Sequence, residues 1–153
     1  MRIALERIVS GGQSGADRAA LDWAIEHGIA HGGWCPRGRR AEDGPLARHY
    51  LLRETPSHDY QQRTRWNVRD SDATLIFSRT GELIGGSAYT ARCAERLQRP
   101  WQHVHPGADA IGTIESFLVE HRVRTLNVAG PRVSTDPAIY GYVFSVLQRL
   151  AES

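Results

Sequence analysis

Short apolar runs alternate with amphipathic segments along almost the whole chain, and this alternation limits the possible folds more than any other feature. The clearest run, Ala73–Phe77, is typical of a strand that is buried on both faces. Such alternation favours a parallel sheet with helices on both sides. The pattern predicts strands near 7–10, 33–35, 50–54, 73–77, 100–104 and 125–129, and helices near 15–27, 59–69, 87–98, 109–121 and 136–150.

These elements predict one α/β domain over residues 1–153, with a doubly wound, mostly parallel sheet in a Rossmann-like three-layer α/β/α arrangement. A hydrophobic content of 41% supports a real core and excludes a disordered chain. No apolar run approaches the length of a membrane span, and the first ten residues lack the apolar core of a signal peptide. With two separated cysteines, Cys35 and Cys93, the expected location is the reducing cytoplasm, without membrane contact.

Every basic side chain is an arginine, since all 19 Lys and Arg positions are Arg, and the net charge is only +2. The absence of lysine excludes Schiff-base chemistry and a Walker-type lysine. Planar guanidinium groups suit phosphate and carboxylate, although a GC-rich genome would explain the bias equally well. The near balance of charge and the lack of an aromatic-basic module argue against nucleic-acid binding.

Three glycine-bearing turns are predicted to lie beyond the carboxyl ends of strands, where doubly wound sheets bind ligands. They span 11–15, 85–87 and 129–134. Glycine lets the backbone approach a ligand closely, and the N–H groups of a helix's first turn attract anions. Each turn alone is explained as well by the geometry of a strand–helix connection. Together they predict a phosphate-bearing or oxyanion ligand, although none matches a P-loop or the G-x-G-x-x-G dinucleotide motif.

The candidate ligand-binding residues come from these turns and from two further positions, Asp17 and Arg37. Asp17 in the first helical turn could contact a ligand hydroxyl, or simply interact with the helix N-terminus. The loop 37–44 could fold over a ligand, with Arg37 on phosphate, or be a solvated loop. The full set is Gly11, Gly12, Gln13, Ser14, Gly15, Asp17, Arg37, Gly85, Gly86, Ser87, Thr90, Gly130 and Arg132.

Five stretches carry a family resemblance: SGGQSGADRAALDWAIEHGI, GWCPRGRRAEDGPL, RTRWNVRDSDATLIF, GGSAYT and LNVAGPR. Together they resemble the molybdenum carrier family, also described as the circularly permuted YpsA-like branch of the SLOG superfamily. The resemblance implies a Rossmann-like domain that binds a nucleotide or a pterin-type ligand. It also implies a homo-oligomer and, as in some relatives, binding of molybdenum cofactor without known turnover. Molybdate is itself an oxyanion, so the donors expected to hold the cofactor's phosphate could hold molybdate instead.

The wider superfamily includes the LOG phosphoribohydrolases, which this chain resembles at their P-G-G-x-G-T-x-x-E motif. Gly85 and Gly86 match, and aligning Thr90 with the motif threonine places Cys93 at the catalytic glutamate. A thiol cannot replace a carboxylate in general acid–base catalysis at neutral pH. The sequence therefore indicates a binding protein with no catalytic residue identified.

Two other functions stay open on the sequence alone. A nucleotide hydrolase would need a carboxylate aimed into the crevice, with Asp17, Glu42, Asp43 and Asp136 as candidates. A nucleotide sensor would instead present an exposed apolar patch to a partner. Cys35 and the histidines do not have the spacing of metal ligands, so no metal site is predicted.

Overall fold

The computed structural model describes residues 4–107 and 109–153. It contains seven short strands and five helices within these ranges, one strand more than predicted, because Ala30–Gly32 forms a strand that the sequence analysis did not identify. In chain order they are β1 Arg7–Val9, α1 Ala16–Glu26, β2 Ala30–Gly32, β3 Trp34–Cys35, β4 Arg53–Glu54, α2 Tyr60–Arg69, β5 Ala73–Phe77, α3 Gly85–Arg96, β6 Trp101–Val104, α4 Ala110–Glu120, β7 Thr125–Ala129 and α5 Ile139–Glu152.

The central sheet has five strands in the order β2-β1-β7-β5-β6, and every pairing in it is parallel. β7 lies in the middle although it comes last, and it pairs with β1 on one side and β5 on the other. The connections from β1 and from β5 therefore lead to opposite edges of the sheet, which leaves a crevice at the carboxyl ends of the central strands. The predicted fold class is confirmed.

Strand alternation divides the core between the two faces of the sheet. On one face Ile8, Leu75, Phe77, Leu126 and Val128 pack in the main apolar cluster, together with buried residues of α1, α4 and α5. On the other face a smaller cluster joins α2 to α3 through Val68, Cys93 and Ala94. The two helix layers cover the sheet on both sides, as buried parallel strands require.

The predicted strand at 50–54 is reduced to β4, which pairs only with β3 in a separate two-stranded sheet. Tyr50 and Leu52 are buried on either side of an exposed Leu51, which imitates the alternation of a strand. Their burial comes instead from a local cluster with Leu21 and Cys35, formed by loop residues against α1.

The last helix begins at Ile139 rather than at the predicted cap Asp136. The carboxylate of Asp136 accepts two hydrogen bonds from Arg79, at 2.8 and 2.9 Å, and one from the N–H of Ala138 at 3.1 Å. The predicted cap is therefore wrong: the N-cap is Ala138, and the Asp136 carboxylate is held in a long-range ion pair with Arg79 that local sequence does not reveal. The predicted inward stripe of this helix, from Ile139 to Leu150, is confirmed as buried.

A carboxylate on α1 holds three segments together. Asp22 accepts hydrogen bonds from the hydroxyls of Tyr50 and Tyr140, each at 2.5 Å. Burial, followed by the hydrogen bond to Asp22, raises the pKa of both tyrosines. The tyrosines therefore remain donors throughout the neutral range, and Asp22 connects α1 to the 47–52 loop and to α5.

Replacing Asp22 with asparagine is expected to lower the free energy of unfolding by about 2 kcal/mol, because hydrogen bonds to a charged acceptor are lost. Urea unfolding measures the change. Glu26→Gln, one turn further along the same helix at an exposed position, is the matched control and should change stability by less than about 0.5 kcal/mol. Equal stability of the two variants would contradict this role of Asp22.

Candidate functional site

A cleft of about 790 Å³ opens at the carboxyl edge of the sheet, on the side covered by α2 and α3. Its walls come from α2, from the first two turns of α3, from the end of β7 and from the segments that follow β1, β5 and β7. This is the position that the strand order predicts for a ligand. The volume falls within the range of about 300–1,000 Å³ that is usual for small-molecule sites.

The N-terminus of α3 opens into this cleft. Gly85, Gly86 and Ser87 form its first turn and line the cleft wall. Ser87 is only 7% exposed, and its hydroxyl makes no hydrogen bond with any residue that the structure describes. The N–H of Ser87 donates to the carbonyl oxygen of Ile84 at 3.1 Å. The N–H groups of Gly85 and Gly86 have no partner within the helix, so these two groups and the Ser87 hydroxyl are the free donors at the cleft wall.

The first glycine turn is different, because its N–H groups are engaged within the protein. The N–H of Gly12 donates to the Ser10 hydroxyl at 3.3 Å, and the N–H of Gln13 donates to the Asp17 carboxylate at 3.2 Å. The N–H of Ser14 donates to the amide oxygen of Gln13 at 3.0 Å. Three donors that the sequence offers to a ligand are thus already satisfied.

The glycines beside this turn are required by close packing. Gly15 has a φ of +85°, and a Cβ there would lie 2.5 Å from the carbonyl oxygen of Pro131. That carbonyl accepts the N–H of Ala16 at 3.2 Å. A Cβ on Gly130 would lie 2.7 Å from the Ala16 side chain. The first and third turns therefore meet backbone to backbone.

A buried ion pair lies at the base of the cleft. Asp17 Oδ2 is 3.6 Å from Arg63 Nη1, and that nitrogen also donates to the carbonyl oxygen of Gly11 at 2.9 Å. Burial raises the pKa of Asp17, while the charge of Arg63 and the N–H of Gln13 act in the opposite direction. Burial likewise lowers the pKa of Arg63. Each charge is stabilised by the other rather than by water.

Glu42 connects the 36–46 loop to the first and third turns. Its carboxylate accepts the hydroxyl of Ser14, the hydroxyl of Ser134 at 2.5 Å and the N–H of Ser134 at 3.1 Å. Its own N–H donates to the Gln13 amide oxygen at 2.8 Å. The hydrogen bonds from Ser134 and then Ser14 lower the pKa of Glu42. This carboxylate is therefore a structural acceptor at neutral pH.

Nine of the candidate residues line the cleft and four do not, within the ranges that the structure describes. The nine are Gly11, Gln13, Asp17, Gly85, Gly86, Ser87, Thr90, Gly130 and Arg132. The other four are Gly12, Ser14, Gly15 and Arg37. Arg37 is exposed, and its backbone N–H donates to the carbonyl oxygen of Ser57 at 3.0 Å. The loop that carries it lies outside the cleft wall.

Several cleft residues were not singled out from the sequence as ligand contacts. Tyr60 and Arg63 on α2 reach the cleft together with Ser78, which directly follows β5, and Asn127 of β7. Ser78 could have been found by its place just beyond a buried strand. The other three give no local signal, because only the folded sheet brings α2 and β7 to the same crevice.

The four carboxylates considered for a hydrolase are all engaged. Asp17 is paired with Arg63, and Asp136 accepts two hydrogen bonds from Arg79. Asp43 pairs with Arg18 at 3.0 Å, and Glu42 is held as described above. None of them is left as a free base facing the cleft in the part of the chain described by the structure.

The comparison with the LOG motif needs a correction. α3 runs without interruption from Gly85 to Arg96, so an ungapped comparison places Arg92, and not Cys93, at the position of the catalytic glutamate. Arg92 lines the cleft, whereas Cys93 is buried against Val68. Neither side chain is a carboxylate, so the expectation that the LOG mechanism is lost does not depend on the alignment.

Asn67 and Asp72 have structural roles. Asn67 accepts the N–H of Trp34 at 2.8 Å and donates to its carbonyl oxygen at 3.0 Å. Asp72 accepts the N–H groups of Arg124 and Thr125 ahead of β7.

Across residues 4–107 and 109–153, no group of three His, Cys, Asp or Glu side chains is arranged to hold a metal ion. No described helix is both long and apolar enough to span a membrane.

Glu42→Gln is expected to reduce stability at neutral pH, because an amide is a weaker acceptor than a carboxylate for the serine donors. Since the pKa of Glu42 is lowered in the folded state, its contribution is present above the unfolded pKa and is lost as the pH falls through the folded pKa. Thermal unfolding from about pH 7 to pH 3 should therefore show the variant and the wild type converging in acid. A stability difference that is constant with pH would contradict this.

Comparisons with known proteins identify the family and support the fold. A model of the circularly permuted YpsA SLOG family matches residues 8–151. The crystal structure of a "putative molybdenum carrier protein" from Syntrophus aciditrophicus is 47% identical, with a TM-score of 0.94, and the match covers 97% of this chain and 96% of that one. No curated protein matches the chain significantly. The chain belongs to the circularly permuted YpsA family of the SLOG superfamily.

Proposed function

We propose that the protein binds an oxyanion or a phosphate-bearing small molecule in the cleft and serves as a carrier of molybdenum cofactor or molybdate. The observation that carries this proposal is the Ser87 side chain: the residue is only 7% exposed, and its hydroxyl makes no hydrogen bond with any described residue. It stands beside the first-turn N–H groups of Gly85 and Gly86 and faces the cleft. Free donors in this arrangement favour an anion over a neutral ligand.

The charged side chains around the cleft also favour a negatively charged ligand. Arg63 and Arg79 are paired with cleft carboxylates, whereas Arg92 and Arg132 have no carboxylate within 4 Å among the described residues. Glu82 is the cleft carboxylate that is likewise left unpaired in that part of the chain. The unpaired charge is therefore net positive, and guanidinium groups bind oxyanions with two parallel hydrogen bonds.

The size and walls of the cleft favour a ligand larger than a bare oxyanion. Tyr60 and Tyr89 line it from α2 and α3, and Arg132 lies 5.5 Å from the centre of the Tyr60 ring. Aromatic and polar walls in a cleft of about 790 Å³ suit a ring system that carries an anionic group. A pterin cofactor and its phosphate have this chemistry, and molybdate alone would use the same donors. The relative named as a molybdenum carrier supports this choice.

The state of the cleft carboxylates supports carriage rather than turnover. A general base must be within reach of the proton that it abstracts and must be free to accept it. Asp17 and Asp136 are both held by arginines, so a bound ligand meets donors rather than a free base. Chromatography of the ligand after incubation tests this point, and its recovery unchanged is the expected result.

Ser87→Ala and Arg132→Gln are each expected to weaken binding of molybdate or molybdenum cofactor by about tenfold to a hundredfold, since each removes a donor to an anion. The measurement is a thermal-shift titration, because a ligand that binds only the folded state raises the melting temperature with its concentration. AMP and ADP-ribose, run in parallel, measure the response to nucleotides.

Arg37→Gln is the matched control, because it removes one arginine outside the cleft wall. It should leave the shift unchanged. If Arg37→Gln weakened binding while Ser87→Ala did not, the ligand would bind under the 37–44 loop and the proposed cleft would be wrong. No shift of the wild type with any anion would overturn the function itself.

A further inference from the structure

A serine and a histidine meet at one corner of the cleft, and the proposed function makes no use of them. Ser78 follows β5 directly, is 3% exposed and lines the cleft. Its hydroxyl oxygen lies 2.6 Å from His103 Nε2 on the neighbouring strand β6. It also accepts the N–H of Gly81 at 3.3 Å. The hydroxyl is therefore positioned by two fixed neighbours.

The direction of the hydrogen bond between them depends on His103. A serine hydroxyl has one hydrogen to donate and two lone pairs to accept with. When Nε2 carries no hydrogen, Ser78 donates to it and turns a lone pair toward the cleft. When Nε2 carries a hydrogen, it and the N–H of Gly81 occupy both lone pairs, and the hydroxyl hydrogen becomes free to point into the cleft.

An oxyanion can only accept hydrogen bonds, so it distinguishes these two arrangements. A lone pair on Ser78 repels it, and a hydroxyl hydrogen attracts it. We propose that Ser78 is a ligand-contacting residue and that His103 is its positioning residue, so that the cleft binds an oxyanion together with a proton taken up by His103. This inference rests on the proposed function, and it adds a specificity for acceptor-only ligands.

A charged imidazole is favoured over a change of tautomer. The neutral ring can also carry its hydrogen on Nε2, but only the imidazolium adds Coulomb attraction to the bound anion. Burial, followed by the nearby His105, lowers the pKa of His103, so the ring is neutral at pH 7 before the ligand arrives. A bound oxyanion places a negative charge near this ring, and that charge favours protonation of His103.

The charged and titratable groups near His103 do not replace it as the group that takes up the proton. His105 lies with its ring centre 4.9 Å from that of His103. Arg79 and Glu82 on the segment after β5 line the same cleft, as do Tyr89 and Arg92 on α3. Of the groups surrounding His103 in the described chain, His105 is the one whose charge shifts its pKa.

The test is calorimetric titration of the wild-type protein with molybdate between about pH 6 and pH 8, around the ordinary histidine pKa. Molybdate keeps the same charge over this range, so the pH dependence belongs to the protein. Affinity is expected to rise by up to about tenfold for each unit of falling pH, as one linked proton requires. Repeating the titration in buffers with different heats of ionisation should show proton uptake approaching one per molybdate.

Three variants test whether the proton taken up on molybdate binding resides on His103. His103→Gln, whose amide can donate to Ser78 without titrating, should bind molybdate with no pH slope. Ser78→Ala should bind more weakly and also lose the slope. His105→Gln is the matched control, because it removes the adjacent imidazole and should keep the slope. NMR titration of the His103 ring in the wild type, with and without molybdate, gives an independent result if a variant is unstable, and its pKa should rise on binding.

The possible failures are distinguishable. Molybdate binding that is independent of pH, or a slope that persists in His103→Gln, would overturn the role of His103 and leave the proposed function standing. An unchanged affinity in Ser78→Ala would overturn the contact with Ser78. An absence of molybdate binding at every pH would overturn both proposals.

Discussion

The buried ion pair between Asp17 and Arg63 is the interaction on which the rest of the cleft depends. It joins the first turn of α1 to α2 across the carboxyl edge of the sheet, and Arg63 also holds the carbonyl oxygen of Gly11. Both side chains are removed from water, so each charge relies on the other and on backbone groups. Loss of either partner would leave an uncompensated charge at the base of the cleft, and the positions of the first turn and of α2 would no longer be coupled.

This pair also explains why the three glycine-bearing turns have different roles, structural in one case and ligand-facing in another. Asp17 fills the first turn from within and takes the N–H of Gln13, a donor that an anion would otherwise use. Gly15 and Gly130 let the first and third turns pack closely together. The α3 turn is not filled by a side chain of this kind, and Ser87 leaves a hydroxyl unpartnered among the described residues. Of the three glycine-bearing turns, the first and third are therefore structural, and the turn at the start of α3 is the one that keeps unpaired hydrogen-bond donors.

The sequence predicted much of the fold because periodicity is local. β5 and β7 have the predicted bounds, and the parallel order follows from strand–helix alternation. Predictions were poorer where a distant partner determines the structure, as in the Tyr50–Leu52 loop and at Asp136. The same holds for the site. Glycine spacing located the crevice, but nothing in the spacing of Arg63 or Asn127 indicates that they reach it, since their contacts are made only in the folded sheet.

The most direct test of the central claim is a crystal structure of the protein soaked with tungstate, a heavier analogue of molybdate that is located by its anomalous scattering. A peak is expected in the cleft, within hydrogen-bond distance of the Ser87 hydroxyl and the N–H groups of Gly85 and Gly86. A peak at the first glycine turn, beside Gly12 and Ser14, or beneath the loop of Arg37 would contradict this expectation. So would a cleft that stays empty when solution measurements show the anion to be bound.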